Sequence, residues 1–151
     1  MNAPTPPLFG GQAEGCSPVA TAFSSGEKVV PVRPATVARS LAIGNPADGD
    51  KAVATARSTG GAVYAVPEDE VGANMSLLAE HAGVFGETAA GVALGALRRA
   101  VDEGELGPDD RVVLVVTGDG LKTPGPVEAR LEPVGIDADA GAVLERLGVL
   151  T

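Results

Sequence analysis

The sequence predicts an α/β domain, with helices packed around a mostly parallel sheet, on three observations. Val112–Val116 is an uninterrupted apolar and largely β-branched run, the pattern of a central strand covered by helices on both faces. Val71, Met75, Leu78 and Ala82 recur at spacings of four, three and four, which marks an amphipathic helix. A chain of 151 residues, 44% apolar, is long enough for one substantial core and short for two domains.

Taken in order, the segments alternate as that class requires. Phe9–Glu14 reads as a short strand, weakened by Gly10 and Gly11. Ser17-Pro18 then offers an N-cap and a first-turn proline for a helix that ends near Gly26. A second helix is expected from Pro34 to Ile43, stopped by Gly44-Asn45-Pro46, because proline disfavours a helical residue before it. Ala52, Val53 and Ala56 place another helix over Gly49–Thr59, closed by Gly60-Gly61 ahead of a strand at Ala62–Val66. Pro67 and the acids Glu68, Asp69 and Glu70 suit the start of the amphipathic helix, where negative charge meets the positive end of the dipole. The next helix, Glu87–Glu103, carries small residues on several faces and is expected to pack closely and be largely buried. The proline-rich stretches Pro4–Pro7 and Thr123–Pro133 suggest a lead-in over residues 1–7 and a tail over residues 125–151.

Composition narrows the function. A net charge of -9 provides no basic stripe for phosphates, and three Phe and one Tyr leave little for base stacking, so no nucleic-acid partner is expected. The longest apolar runs fall far short of the roughly 20 residues a membrane helix needs, and Met1–Phe9 has neither a basic nor an apolar signal region. A cytoplasmic protein without a membrane partner is the expectation. Lone Cys16 lacks a spaced histidine and suits a packed side chain; lone His81 suits the C-terminal end of its helix dipole. Asp48, Asp50, Asp109 and Asp110 sit in turns without EF-hand spacing, and no metal is expected. Thr117-Gly118-Asp119-Gly120 stands where a strand ends, a place open either to an ordinary glycine-rich turn or to a ligand loop.

Four separated segments, read together and in order, resemble the distal half of threonine synthases over residues 8–124. They are Gln12-Ala13-Glu14-Gly15; Thr36-Val37-Ala38 leading to Ala42-Ile43-Gly44-Asn45-Pro46-Ala47-Asp48-Gly49; Gly86-Glu87-Thr88-Ala89-Ala90-Gly91; and Thr117-Gly118-Asp119-Gly120-Leu121-Lys122. The Ile-Gly-Asn-Pro and Thr-Gly-Asp-Gly-Leu-Lys stretches are the more specific. Asp119 and Thr88 stand where other members often have histidine and proline, which marks a subgroup.

The resemblance implies part of a tryptophan-synthase-β-like, three-layer α/β fold of type II, with pyridoxal phosphate between two α/β domains. It also implies the reaction of O-phosphohomoserine and water to threonine and phosphate, a carbon–oxygen lyase chemistry. Carried onto this sequence, Thr117 would place a neutral hydroxyl by the pyridine nitrogen with Gly118 beside it, and Gly44 and Asn45 would line the pocket by the ring. Glu87, at the start of its helix, would sit near the same cleft or serve that helix end structurally.

In the family, the lysine that holds the cofactor and the glycine-rich phosphate loop lie upstream of the stretch resembled here. The lysines present are Lys28, Lys51 and Lys122, next to Glu27, Asp50 or near Asp119, and such acids raise rather than lower a lysine pKa. No catalytic residue is therefore expected in this chain, which reads as a C-terminal fragment or split subunit, inactive alone. Its expected partner is a complementing N-terminal subunit or a second copy of itself, and pyridoxal phosphate would be held only with the N-terminal subunit. A non-catalytic interaction or regulatory module derived from the fold is the alternative. A small nucleotide-binding domain ranks third, since neither G-x-G-x-x-G nor phosphate-loop spacing occurs.

Overall fold

A computed structural model describes residues 5–130 and 135–149. Residues 1–4 of the lead-in, and 131–134 and 150–151 of the tail, lie outside the described residues.

The centre is a parallel pair of short strands, β1 (Gly10–Ala13) and β2 (Val63–Val66), in register Gly10 to Val63 through Ala13 to Val66. A parallel pair needs a crossover between its strands. Here the crossover contains α1 (Pro18–Ser25) and α2 (Gly49–Thr59), which pack on one face of the sheet. The chain then enters α3 (Glu68–Ala82) and α4 (Thr88–Asp102), and α4 covers the other face. Side chains alternate accordingly along β2: Val63 packs toward Val19, Ala22 and Val53, whereas Tyr64 packs toward Ala96 and Ala100. The α/β class is therefore as the sequence predicts, built in three layers around parallel strands.

Local chemistry explains the helix ends. Gly26, Gly60 and Gly83 close α1, α2 and α3 in the left-handed conformation. The start of α1 is capped from a distance. Ser17 makes no side-chain cap; instead Gln12, on β1, accepts bonds from Val19 N (2.8 Å) and Ala20 N (3.1 Å). One amide oxygen thus fixes the strand-to-helix angle while satisfying two orphan donors. At the other end of α1, Arg57 of α2 donates to the carbonyl of Phe23 (2.9 Å) and lies 5.4 Å from the centre of its ring.

Two expected elements are absent in the expected form. Residues 34–43 form no α-helix, only a 3-10 turn at Arg39–Leu41. The reason lies in long-range bonds: Val32 N donates to Gly44 O, Ala35 N to Gly15 O and Val37 N to Glu68 Oε2, which hold the segment extended across the ends of other elements. Glu68 is the clamp, because its carboxylate also takes Gly15 N (2.9 Å) and the Thr36 hydroxyl (3.0 Å).

Val112–Val116, expected to be a central buried strand, is neither strand nor buried: Val113 is 89% exposed and Val115 67%. Burial of a strand depends on the neighbours that flank it, and among the described residues only β1 and β2 form a sheet. Lys51 lies on α2, exposed and paired with Asp48 at 2.7 Å.

The small residues of α4 do what their pattern suggests. Gly91, Gly95, Ala96 and Ala100 are buried, and α4 makes close contact with α3 and both strands. At Gly91 a β-carbon would meet the Val71 carbonyl at 2.5 Å and Met75 Cγ at 3.0 Å, so the spacing of α3 and α4 is set by the missing side chain. The segment after α4 also contributes to the core, since Val127, in a 3-10 stretch at Gly125–Arg130, is buried with Val71, Met75 and Val92. In contrast, α5 (Ala140–Arg146) buries no residue.

Gly91→Ala should accordingly destabilise the chain by about 1–3 kcal/mol in urea unfolding, the usual cost of overpacking against an atom that cannot retreat. Tyr64 gives a second expectation. It is buried, its hydroxyl has no hydrogen-bond partner, and burial first, then the charges of Glu103 and Glu105, push its pKa up to about 12. As the folded value is raised, the contribution is complete below the unfolded pKa of about 10 and is lost as pH rises from there through the folded pKa. Tyr64 is the only tyrosine and there is no tryptophan, so phenolate absorbance in an alkaline titration should rise near pH 12 while the chain stays folded. A midpoint near the ordinary value of about 10 in a folded chain would show the ring to be solvated.

Candidate functional site

The N-terminus of α4 and the loop after Val116 are stitched together. Gly86 and Asp119 form an antiparallel bridge, Glu87 N donates to Gly118 O (2.9 Å), and Gly120 N donates to Phe85 O (2.8 Å). Thr123 Oγ1 accepts from Thr88 N (3.1 Å), capping α4 from outside its own segment. Asp119 closes its own turn by accepting from Leu121 N (2.8 Å). A segment that failed to become a strand is thus still delivered to a fixed place by backbone bonds at its end.

Glu87 and Thr117 meet within this frame. The Glu87 side chain is buried, and its Oε1 accepts from the Thr117 hydroxyl at 3.3 Å. A carboxylate only accepts, so the hydroxyl must donate, and its oxygen lone pairs remain for a donor from the solvent side, where Thr117 is exposed. The carboxylate also stands at the positive end of the α4 dipole. At Gly118 an added β-carbon would meet the Glu87 carboxylate, so the Glu87 side chain sits where the absence of a side chain at Gly118 leaves room. Thr88, next in line, is fully buried with its hydroxyl unpartnered.

Of the residues singled out from sequence, Glu87, Thr117 and Gly118 come together. Gly44 and Asn45 lie in a different turn, where Gly44 O accepts from Val32 N (2.9 Å) and Asn45 is exposed. No hydrogen bond among the described residues joins that turn to the Glu87–Thr117 pair. Sequence reasoning missed Thr123, Phe85, Gln12 and Glu68, all of which position the site or its supports. Only Gln12 stood in a recognised segment, and a side chain that caps a helix from another element leaves no local signal. Cys16 is buried and His81 is exposed in the last turn of α3.

Known proteins share this sequence pattern. The model of the pyridoxal-phosphate dependent enzyme family matches residues 1–118. The chain belongs to that family. Its curated relatives include the threonine synthases of Methanocaldococcus jannaschii and Methanosarcina acetivorans, each 36% identical over 94% of this chain and 36% of the relative. That of Mycobacterium leprae is 34% identical over 96% of this chain and 39% of the relative. Over nearly its whole length the chain is thus similar to threonine synthases. The chain spans little more than a third of the length of these relatives. Among solved structures, a T.th. threonine deaminase aligns with 66% of this chain and 35% of its own at 16% identity, with a TM-score of 0.49.

The seating of the carboxylate is directly testable in the chain itself. Thr117→Val removes one neutral-to-carboxylate hydrogen bond and should cost at most about 1–2 kcal/mol in urea unfolding. Gly118→Ala displaces the carboxylate from its buried seat, losing the same bond and part of its packing, and should cost more. Equal costs would mean that Glu87 is not held where the Gly118 backbone leaves room for it.

Proposed function

We propose that this chain is the distal part of a threonine-synthase-like, pyridoxal-phosphate-dependent enzyme of the cytoplasm, supplying the residues at the cofactor ring but not the lysine that holds it. The observation that carries the proposal is the Glu87–Thr117 pair, a ligand-ready hydroxyl held by a buried carboxylate in the segments that resemble the family. When bound, pyridoxal phosphate supplies an electron sink for carbanion chemistry at the substrate's α-carbon. Thr117 would face the ring nitrogen. With its proton committed to Glu87, its oxygen accepts, so it favours a nitrogen that carries a proton, a polarity that a lone neutral hydroxyl would leave open. Gly118 keeps the backbone close to the carboxylate, and Gly44 and Asn45 would lie beside the ring.

The lysines present support a shared site. Lys28, Lys51 and Lys122 are all exposed, and Lys51 is paired with Asp48, so none has the desolvated setting that makes a lysine a nucleophile near neutral pH. The family reaction, O-phosphohomoserine and water to threonine and phosphate, then requires the part of the fold that this chain does not span.

The test has two arms. Mixed with pyridoxal phosphate and reduced with borohydride, the chain alone should carry no specific cofactor–lysine adduct by peptide mapping. A chimaera in which it replaces the corresponding segment of the M. jannaschii threonine synthase should bind the cofactor and release phosphate from O-phosphohomoserine, and Thr117→Val should weaken cofactor binding measured by absorbance. A stoichiometric adduct on one of the three lysines, or a cofactor-free chimaera, would refute the proposal.

A further inference from the structure

Residues 32–44, within the connection between α1 and α2, have no regular form apart from the turn at Arg39–Leu41, yet the segment is tied down along its length. Ala35 N donates to Gly15 O (2.8 Å), just past the end of β1, and Val32 N donates to Gly44 O (2.9 Å), which closes the segment into a loop. Inside the loop Ala38 is fully buried with Ala13, Val66 and Val92, and Leu41 packs against the same cluster. The remaining tie is Glu68, whose Oε1 accepts from Gly15 N while Oε2 accepts from the Thr36 hydroxyl and from Val37 N (2.8 Å).

Three donors on one side chain give this tie a polarity. A carboxylate only accepts, so the Thr36 hydroxyl donates to it and keeps its oxygen for Ala38 N, at 3.0 Å. A neutral amide of the same shape cannot reproduce the set. One of its two terminal atoms is a donor, and it would face either Gly15 N–H or the Thr36–Val37 pair, donor against donor. The backbone has no slack to absorb the change: a β-carbon at Gly15 would meet Ala35 O and Glu68 Oε1, and one at Gly44 would meet Val32 O.

Gly15 and Glu68 are each the second residue after a strand, so the tie stands at the carboxyl ends of β1 and β2, where open α/β sheets bind ligands. The far end of the loop puts outward what the core does not use: Ile43 is 58% exposed and Asn45 is exposed, with Gly44 between them.

We propose that Glu68 is a positioning residue of the cofactor site, whose carboxylate holds residues 35–38, and through them the Gly44-Asn45 turn, in the arrangement that brings the turn to the ring. This rests on the reading above in which Gly44 and Asn45 lie beside the ring, whereas the tie itself belongs to this chain.

Glu68→Gln tests it in the chain alone and in the chimaera described above. In the chain alone, amide exchange by mass spectrometry should be about tenfold or more faster in peptides spanning residues 35–38 and 43–46, as loss of bonds to a charged group implies, with α4 at its wild-type rates. In the chimaera, cofactor affinity by absorbance titration, taken well below the variant's melting temperature, should fall about tenfold. Glu68→Asp, with the charge on a shorter stem, should fall between the two. Thr36→Val should shift both readings in the same direction and add little on top of Glu68→Gln, since the two residues share one network. Gly91→Ala, which disturbs the contact of α3 with α4, should leave the affinity of the folded chimaera unchanged, and a merely structural Glu68 would behave as it does. Wild-type exchange in Glu68→Gln, or faster exchange with wild-type cofactor affinity, would overturn the proposal. If Glu68→Gln does not fold, the same two readings on Glu68→Asp and Thr36→Val decide. A wild-type chimaera without cofactor would overturn the reading above and the role at the ring together, so the two failures show in different proteins.

Discussion

The parallel pairing of β1 with β2 is the contact on which the rest of the molecule depends, and two strands of four residues are very little sheet to organise a domain. A parallel pair cannot be closed by a hairpin and is stable only with both faces covered, so the chain must send a crossover to one side and return with a helix on the other. Everything that fixes those helices is therefore also fixing the sheet. Gln12 caps α1 from within β1, Arg57 ties α2 to the end of α1, and the glycines and alanines of α4 allow it to lie close to the strands.

Glu68 extends the same logic to the irregular part of the chain. Its carboxylate gathers Gly15, Thr36 and Val37 at the start of α3, directly after β2, so the long connection between α1 and α2 is pinned to the carboxyl ends of both strands. In open α/β sheets this is the end at which ligands bind. The Glu87–Thr117 pair is built differently, by the meeting of a helix N-terminus with a loop 30 residues later in sequence, held by backbone bonds at Gly86, Glu87 and Gly120. Membership of the pyridoxal-phosphate-dependent family gives that meeting a chemical context.

The sequence by itself determined the elements whose signals are local. Strand β1 and the helices α1 to α4 are where turn glycines, prolines, first-turn acids and helical spacing put them, because each of these acts within a few residues. The α/β class followed from their alternation, and the family from four short motifs. Glu87, Thr117 and Gly118 were legible as candidates through those motifs, not through any pattern that revealed their contact. Tertiary structure alone decided the remainder. Residues 34–43 have the pattern of a helix but satisfy their backbone with Gly15, Gly44 and Glu68, partners brought in from other parts of the chain. Val112–Val116 has the composition of a buried strand, yet strandedness requires a neighbour with free backbone groups, and none among the described residues is placed to provide them. Composition records what a segment can become, while hydrogen bonding and burial depend on what else is within reach.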